Sequence, residues 1–442
     1  MDRRRPAWPE RTRSDLSLRA GASAVSGVVD SLRSVSFREL LTYLGPGFLI
    51  SVAYMDPGNW ATNISGGAKY GPALLWVIVL ASLMAMGIQI IAAKLGIATG
   101  KGIAQLCRER LPSRVVWLLW AAAELAMIAT DMAEIIGAAI GFSLVFSIPL
   151  PAGAVLAGAA SFALLGVRTV HDRGYRWVEF VIMALVGIIA LGFVFEMLLA
   201  RPTAAEIGRG LVPSIPGPDA LYVAIGILGA TVMPHSIYLH PYIVQDRRTE
   251  LMATEGDTEG VHRRHFLFES VDTVFALSGA MFVNAAMLIV AAAALQGTGI
   301  STLQDAYITL QNVFGASSST VFGIALIAAG LSSSLVATMA GQTVMDGFLD
   351  LQINVWLRRS VTLLPSLAVV IAGFDPTSVL VASQVALSFE LPFVLIPLLW
   401  FTREEGLMRS FKNWTSTTTV LGVIIALIVV LNIWLIYTEL FG

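Results

Sequence analysis

The sequence predicts an all-α integral membrane protein with about eleven transmembrane helices, and three observations carry that prediction. The first is composition: of 442 residues, 56% are hydrophobic and 13% charged, with a mean hydropathy of +0.76. Soluble domains carry roughly 25% charged residues, so this chain lacks the charges to cover a water-facing surface. The second is spacing. Apolar segments able to cross about 30 Å of hydrocarbon recur at 41–68, 72–97, 115–141, 148–167, 175–199, 219–245, 266–296, 318–349, 358–374, 376–401 and 416–441. The third is the placement of basic residues: 25 of the 28 Lys and Arg fall on one side of these spans and 3 on the other. This positive-inside bias puts the N-terminus in the cytoplasm and, with eleven crossings, the C-terminus outside the cell.

Composition also excludes function classes. A net charge of −2 provides no bulk field for nucleic acid, and the single cysteine, Cys107, rules out an internal disulfide framework or a cysteine metal cluster. No His-Glu-x-x-His pair, Gly-x-Ser-x-Gly elbow or phosphate-binding loop occurs, so no enzymatic chemistry is expected. Residues 1–38, rich in Arg and Ser, read as a disordered cytoplasmic tail with an amphipathic stretch, and 39–442 as a single transmembrane domain.

Span one is interrupted at Asp56-Pro57-Gly58-Asn59, and span six at Met233-Pro234-His235. Proline removes a backbone donor and glycine adds freedom, and a carbonyl freed in lipid must find protein, water or an ion. Spans one and six are five apart, as two repeats of five helices require, with span eleven an addition. A midspan proline alone is also an ordinary kink. Asp56 is harder to explain that way, because a carboxylate at membrane depth costs several kcal/mol unless paired or bound to something. Asp56 and Asn59 lie three residues apart and turn their oxygens to one side. With the carbonyls of Ala53 and Ala230 they make an oxygen set, to which Met233 adds a soft sulfur, moving preference from Mg²⁺ toward Mn²⁺, Fe²⁺ or Cd²⁺. Met233 is equally readable as packing filler.

Span three carries Glu124, Asp131 and Glu134 within an arc of roughly 80°. Their expected partners are Arg358 and Arg359, at the start of span nine. Such a set forms either an ion pathway or a static lock between helices. His235, beside the span-six break, suits proton relay or a structural hydrogen bond. Asn284 in span seven and Gln384 in span ten either complete a metal shell or bond between helices. Glu269 and Asp272, near the charged 246–265 loop, read as interfacial or vestibule residues, and Ser332-Ser333-Ser334 with Gly341 fits close helix packing. Asp346 and Glu390 have no role in this reading.

Taken together, these motifs resemble the Nramp family of proton-coupled divalent-metal transporters, in its bacterial manganese-importer form. Asp56-Pro57-Gly58-Asn59 resembles the family's first-helix motif and Met233-Pro234-His235 its sixth-helix motif. The stretch from Gly330 to Phe348 resembles its eighth-helix signature, although Leu331 stands where the family usually has Gln. The likeness runs from about residue 40 onward. It implies a LeuT-like inverted repeat (helices 1–5 and 6–10) with helices 1 and 6 broken, and import of Mn²⁺, Fe²⁺ or Cd²⁺ with protons by alternating access. It implies metal contacts from Asp56, Asn59, Met233 and the carbonyls of Ala53 and Ala230. It ties Asp56, His235, Glu134, Asp131, Glu124, Arg358 and Arg359 to proton movement. No cofactor or obligatory protein partner is expected, the metal being cargo; the partners are metal ions, protons and the inner-membrane bilayer. A proton- or sodium-coupled amino-acid or amine symporter is the rival, disfavoured because Asp56 would repel a substrate carboxylate.

Overall fold

In lipid a spanning segment has to satisfy its own backbone groups, so each apolar segment closes its bonds as a helix. The computed structural model describes residues 45–170, 174–299 and 302–441, and every regular element among them is helical. The expected N-terminal tail lies outside the described residues. Span one is α1 (Pro46–Ala53) and α2 (Pro57–Tyr70), and a short turn at Gly71–Leu74 leads into span two, α3 (Leu75–Thr99). A short α4 (Ile103–Arg110) precedes α5 (Ser113–Phe146), α6 (Leu150–Val170) and α7 (Gly174–Ala200), which are spans three to five. After α8 (Ala204–Gly210), span six is again split, into α9 (Pro218–Thr231) and α10 (Pro234–Glu255). Spans seven to eleven are α11 (Glu259–Leu295), α13 (Ala316–Leu349), α14 (Val355–Ile371), α15 (Pro376–Arg403) and α17 (Thr415–Phe441). Between them lie α12 (Leu303–Phe314) and the single turn α16 (Glu405–Met408).

By length and apolar content alone, seven of the described helices can cross a membrane. The count is eight if Ala184–Ala200 and Ala204–Gly210, which meet at 117°, form a further span. The shortfall from eleven has physical reasons. Pro57–Thr99 runs as one apolar stretch of 43 residues, although it holds half of span one and all of span two. The described apolar part of α6 is short, and α14 has 17 residues with Arg358 and Arg359 near its start.

The helices pack in two groups that mirror the proposed repeat. Spans one, two, six and seven pack on one another, as α2, α3, α9, α10 and α11. Spans three, four, eight and nine do likewise, with α13 lying along α5 and with α6 and α14 against it. Each group takes the equivalent pair of helices from each half of the chain. Span ten, α15, bridges the groups by touching both α9 and α5.

The approach of α9 to α15 depends on Gly229, where a β-carbon would sit 2.1 Å from the Gln384 carbonyl oxygen. Gly229→Ala should therefore push span six off span ten and cost about 1–3 kcal/mol. Gly422→Ala is the control, since nothing lies within 4 Å of that position. Thermal unfolding in detergent should show a lower midpoint for the first variant and none for the second.

Candidate metal and proton site

The site begins with backbone arithmetic at two prolines. In an α-helix the amide of residue i+4 bonds the carbonyl of residue i, and proline has no amide hydrogen. Pro57 therefore leaves the Ala53 carbonyl without its usual donor, and Pro234 does the same to Ala230. At span one the chain tightens: the amides of Tyr54, Met55 and Asp56 reach back three residues to Ser51, Val52 and Ala53 at 3.1–3.2 Å. Side chains serve the next carbonyls. Asn284 donates to the Tyr54 carbonyl at 2.7 Å, and the Trp60 indole to that of Met55 at 3.1 Å. Trp60 is fully buried and meets Phe193 and Phe322 edge-on, which ties α2 to spans five and eight.

Asp56 then caps α2. Its Oδ1 accepts from the Asn59 amide at 2.9 Å and from Asn59 Nδ2 at 2.7 Å. The same Nδ2 donates to the Ala230 carbonyl at 2.9 Å, so one side chain joins the two breaks. Gln384 closes the third side. A methyl group on Gly58 would lie 1.9 Å from Gln384 Nε2 and 2.9 Å from Asp56 Oδ2, so these side chains converge over Gly58 and a larger residue there would displace them. Met233 forms the N-cap of α10, next to Pro234, and is wholly buried. Asp56 is 1% exposed and Asn59, Met233, Gln384, Ala53 and Ala230 are at 0%, so the constellation is enclosed.

Three oxygens in this enclosure have no hydrogen-bond donor: Asp56 Oδ2, Asn59 Oδ1 and Gln384 Oε1. Buried acceptors are normally satisfied, and the surplus here is all oxygen, a donor set suited to a divalent cation. Among the described residues no group of three or more His, Cys, Asp or Glu could hold a metal ion. The enclosure therefore holds a single carboxylate, that of Asp56, with amide and carbonyl oxygens, and Met233 is buried beside the span-six break. Asn284 takes the hydrogen-bonding alternative, accepting from Asn63 at 2.8 Å while it holds Tyr54.

On α5 the three carboxylates have different surroundings. Asp131 pairs with Arg359 at 2.6 Å, and that guanidinium also donates to Ser161 at 3.0 Å and to Ser334. Glu124 accepts from Arg358 at 3.0 and 3.1 Å and is partly exposed. Glu134 is fully buried, and neither of its oxygens meets a donor. His235 sits at the start of α10 with Nδ1 3.3 Å from Thr130 of α5, and its Nε2 has no partner. Thr130 already donates to the Ala126 carbonyl, so His235 Nδ1 is the donor in that contact.

Glu269 and Asp272, expected as interfacial or vestibule residues, are enclosed by protein, at 2% and 0% exposed. Glu269 accepts from His240 at 2.9 Å, and His240 continues through Gln89 to the Tyr54 hydroxyl. Asp272 Oδ2 accepts the amides of Gly45 and Gly47 at 3.1 and 2.8 Å, capping the open end of α1. Buried partners, and not the nearby charged loop, set their place. Ser334 does more than ease packing, since it binds Arg359; Asp346, half-buried, offers its carbonyl to Arg108 at 2.8 Å. The hydroxyls of Thr231 and Ser236, either side of the span-six break, are buried without partners and were not anticipated.

Known proteins are similar to this chain in sequence and in fold. Residues 47–438 match the family described as natural resistance-associated macrophage protein-like, Nramp. The divalent metal cation transporter MntH of Yersinia pestis is 46% identical over 417 residues, 93% of this chain and 98% of the relative. The manganese transporter of Eremococcus coleocola, solved with an aromatic bis-isothiourea compound, superposes with a TM-score of 0.82 at 33% identity, covering 91% of this chain and 87% of that one. A nucleobase-cation-symport-1 family transporter, at 15% identity and a TM-score of 0.58 over 89% of this chain and 93% of that one, shares the fold alone.

The Asp131–Arg359 pair sets a stability prediction. Arg359→Leu strands a buried carboxylate and should cost about 3–5 kcal/mol. Adding Asp131→Asn to the same chain should recover most of the loss, as read by thermal unfolding of both variants in detergent.

Proposed function

The chain belongs to the Nramp family, and on that premise we propose that it imports divalent transition-metal ions, Mn²⁺ or Fe²⁺ and also Cd²⁺, with protons by alternating access. The observation that carries the proposal is the enclosure of three donorless oxygens, on Asp56, Asn59 and Gln384, where two broken helices meet. The names of the Yersinia and Eremococcus relatives support the substrate class. The protein lies in the inner cell membrane with its N-terminus in the cytoplasm, the orientation favoured by its basic loops.

In this reading a hydrated ion reaches the site from outside and exchanges water for Asp56, Asn59, Met233, Gln384 and the carbonyls of Ala53 and Ala230. The Ala230 carbonyl has two lone pairs, so its bond from Asn59 leaves one free. Asp56 binds metal as the carboxylate, so metal capture releases its proton. Glu134 can take that proton without surrendering a bond, because nothing donates to it. Asp131 with Arg359, and Glu124 with Arg358, continue the acidic face toward the cytoplasm, and the free Nε2 of His235 offers a base beside the break. Met233 supplies selectivity for soft ions over Ca²⁺ and Mg²⁺. The cycle needs no resident cofactor, covalent chemistry or protein partner.

Two measurements test this. In proteoliposomes with internal pH recorded, wild type should take up Mn²⁺ and acidify the lumen, and Asp56→Ala should do neither. Metal uptake with no pH change would remove the proton half of the proposal, and no uptake by folded protein would remove all of it. Met233→Ala should lose discrimination of Cd²⁺ and Mn²⁺ against Ca²⁺ and Mg²⁺ more than it loses total transport. Equal loss for all four ions would end the ligand role of Met233.

A further inference from the structure

Glu390, the one carboxylate within span ten without a role in the reading above, is 4% exposed on α15. It lies six residues past Gln384, about 9 Å along the helix, on the cytoplasmic side in the orientation proposed. Tyr238, five residues past Met233 on α10, donates its hydroxyl to Glu390 Oε1 at 3.2 Å. Tyr238 is 1% exposed and rests edge-on against Phe348, with ring centres 5.6 Å apart. The pair therefore spans the seam between span six, in one packing group, and span ten. Oε2 of Glu390 is buried and receives no hydrogen bond.

An ionised carboxylate in that seam would have one neutral donor and no cation. The titratable groups around it are Tyr238 and, within electrostatic range of Tyr238, the buried thiol of Cys107 on α4. On α5, Glu134 is buried without a donor and brings no cation to Glu390, while other charges of neighbouring helices are engaged elsewhere. Arg108 of α4 holds Asp350 and the Asp346 carbonyl, Lys94 of α3 holds the Asn413 side chain, and Asp131 of α5 holds Arg359. A buried charge without a partner is disfavoured, whereas a neutral carboxyl leaves only ordinary polar contacts unmade.

We propose that Glu390 is a second proton-carrying carboxyl, protonated while spans six and ten are closed on it and releasing its proton to cytoplasmic water when they part. This rests on the reading of the chain as a proton-coupled importer. Water admitted along the seam solvates the carboxylate that the closed seam cannot, so the proton leaves as the inner route opens. The Glu390 proton is loaded from the side of the metal site while that site is open outward, since reloading from the cytoplasm would move no net proton. High internal pH then favours the parted seam and low internal pH the closed one.

The test uses the full chain in proteoliposomes, with Mn²⁺ uptake and lumenal acidification recorded together, and the infrared difference spectrum between metal-free and Mn²⁺-saturated protein. Glu390→Gln keeps an acceptor for Tyr238 but cannot titrate. It should still move Mn²⁺, deliver fewer protons per metal, and lose one protonated-carboxyl band. Tyr238→Phe keeps the carboxyl and should retain the proton-to-metal ratio, with that band shifted. A Glu390→Gln protein with the wild-type ratio and an unchanged spectrum would overturn the proposal while leaving a coupled wild type intact. Loss of Mn²⁺ uptake in both folded variants would make the pair a structural latch and overturn it too. Wild type that moves metal with no protons would overturn the coupling reading and this one with it.

Discussion

Everything at the centre of this protein follows from a rule of solvation: inside a bilayer a carbonyl separated from its helix must be answered by the protein or by an ion. Pro57 and Pro234 each sever one such carbonyl, those of Ala53 and Ala230, at corresponding places in the two halves of the chain. Most neighbouring groups are answered at once, by Asn284, by Trp60 and by tightened turns. Asn59 answers for both halves, since its nitrogen joins the Asp56 carboxylate to the Ala230 carbonyl. With the nitrogen spent, the remaining side-chain oxygen faces a region already rich in oxygen. The excess of acceptors is the feature on which the proposed metal site rests.

Around this centre, polar groups fall into two kinds. Asp131, Arg359, Ser161 and Ser334 satisfy one another across four helices and hold spans three, four, eight and nine together. Glu134 and the Nε2 of His235 lie between that network and the breaks with nothing donated to or accepted from them. A fully bonded network is costly to disturb, and an unbonded group can gain or lose a proton with little local rearrangement. Span three therefore joins a rigid scaffold and a reactive edge in a single helix.

The frame of the fold was legible in the sequence because hydropathy, basic-residue placement and proline report on lipid directly. The eleven segments emerge as helices, and both breaks lie where Pro57 and Pro234 put them. The pairing of Glu124 and Asp131 with the two arginines was also readable, from helical spacing and the scarcity of other cations at that depth. What stayed hidden depends on distance along the chain. Asn59 reads as an oxygen ligand, and nothing local tells that its nitrogen reaches a carbonyl 171 residues away. Glu269 and Asp272 sit near a charged loop, and their true partners, His240 and the amides opening α1, carry no mark in the sequence beyond a second histidine one turn after the first.

The bonds from span seven have a mechanical consequence. Asp272 grips α1 at its first amides and Asn284 grips the carbonyl of Tyr54 just past its end, so this eight-residue half-helix is pinned to α11 at both extremities. The outer half, α2, is held to span seven as well, by Asn63 donating to Asn284, and is anchored in addition through Trp60 to the aromatic rings of spans five and eight. The two halves of one broken helix thus share Asn284 of span seven, with the Tyr54–Asp56 turn as the joint between them. A rigid-body tilt of span seven would carry the inner half freely and pull the outer half against its Trp60 anchor.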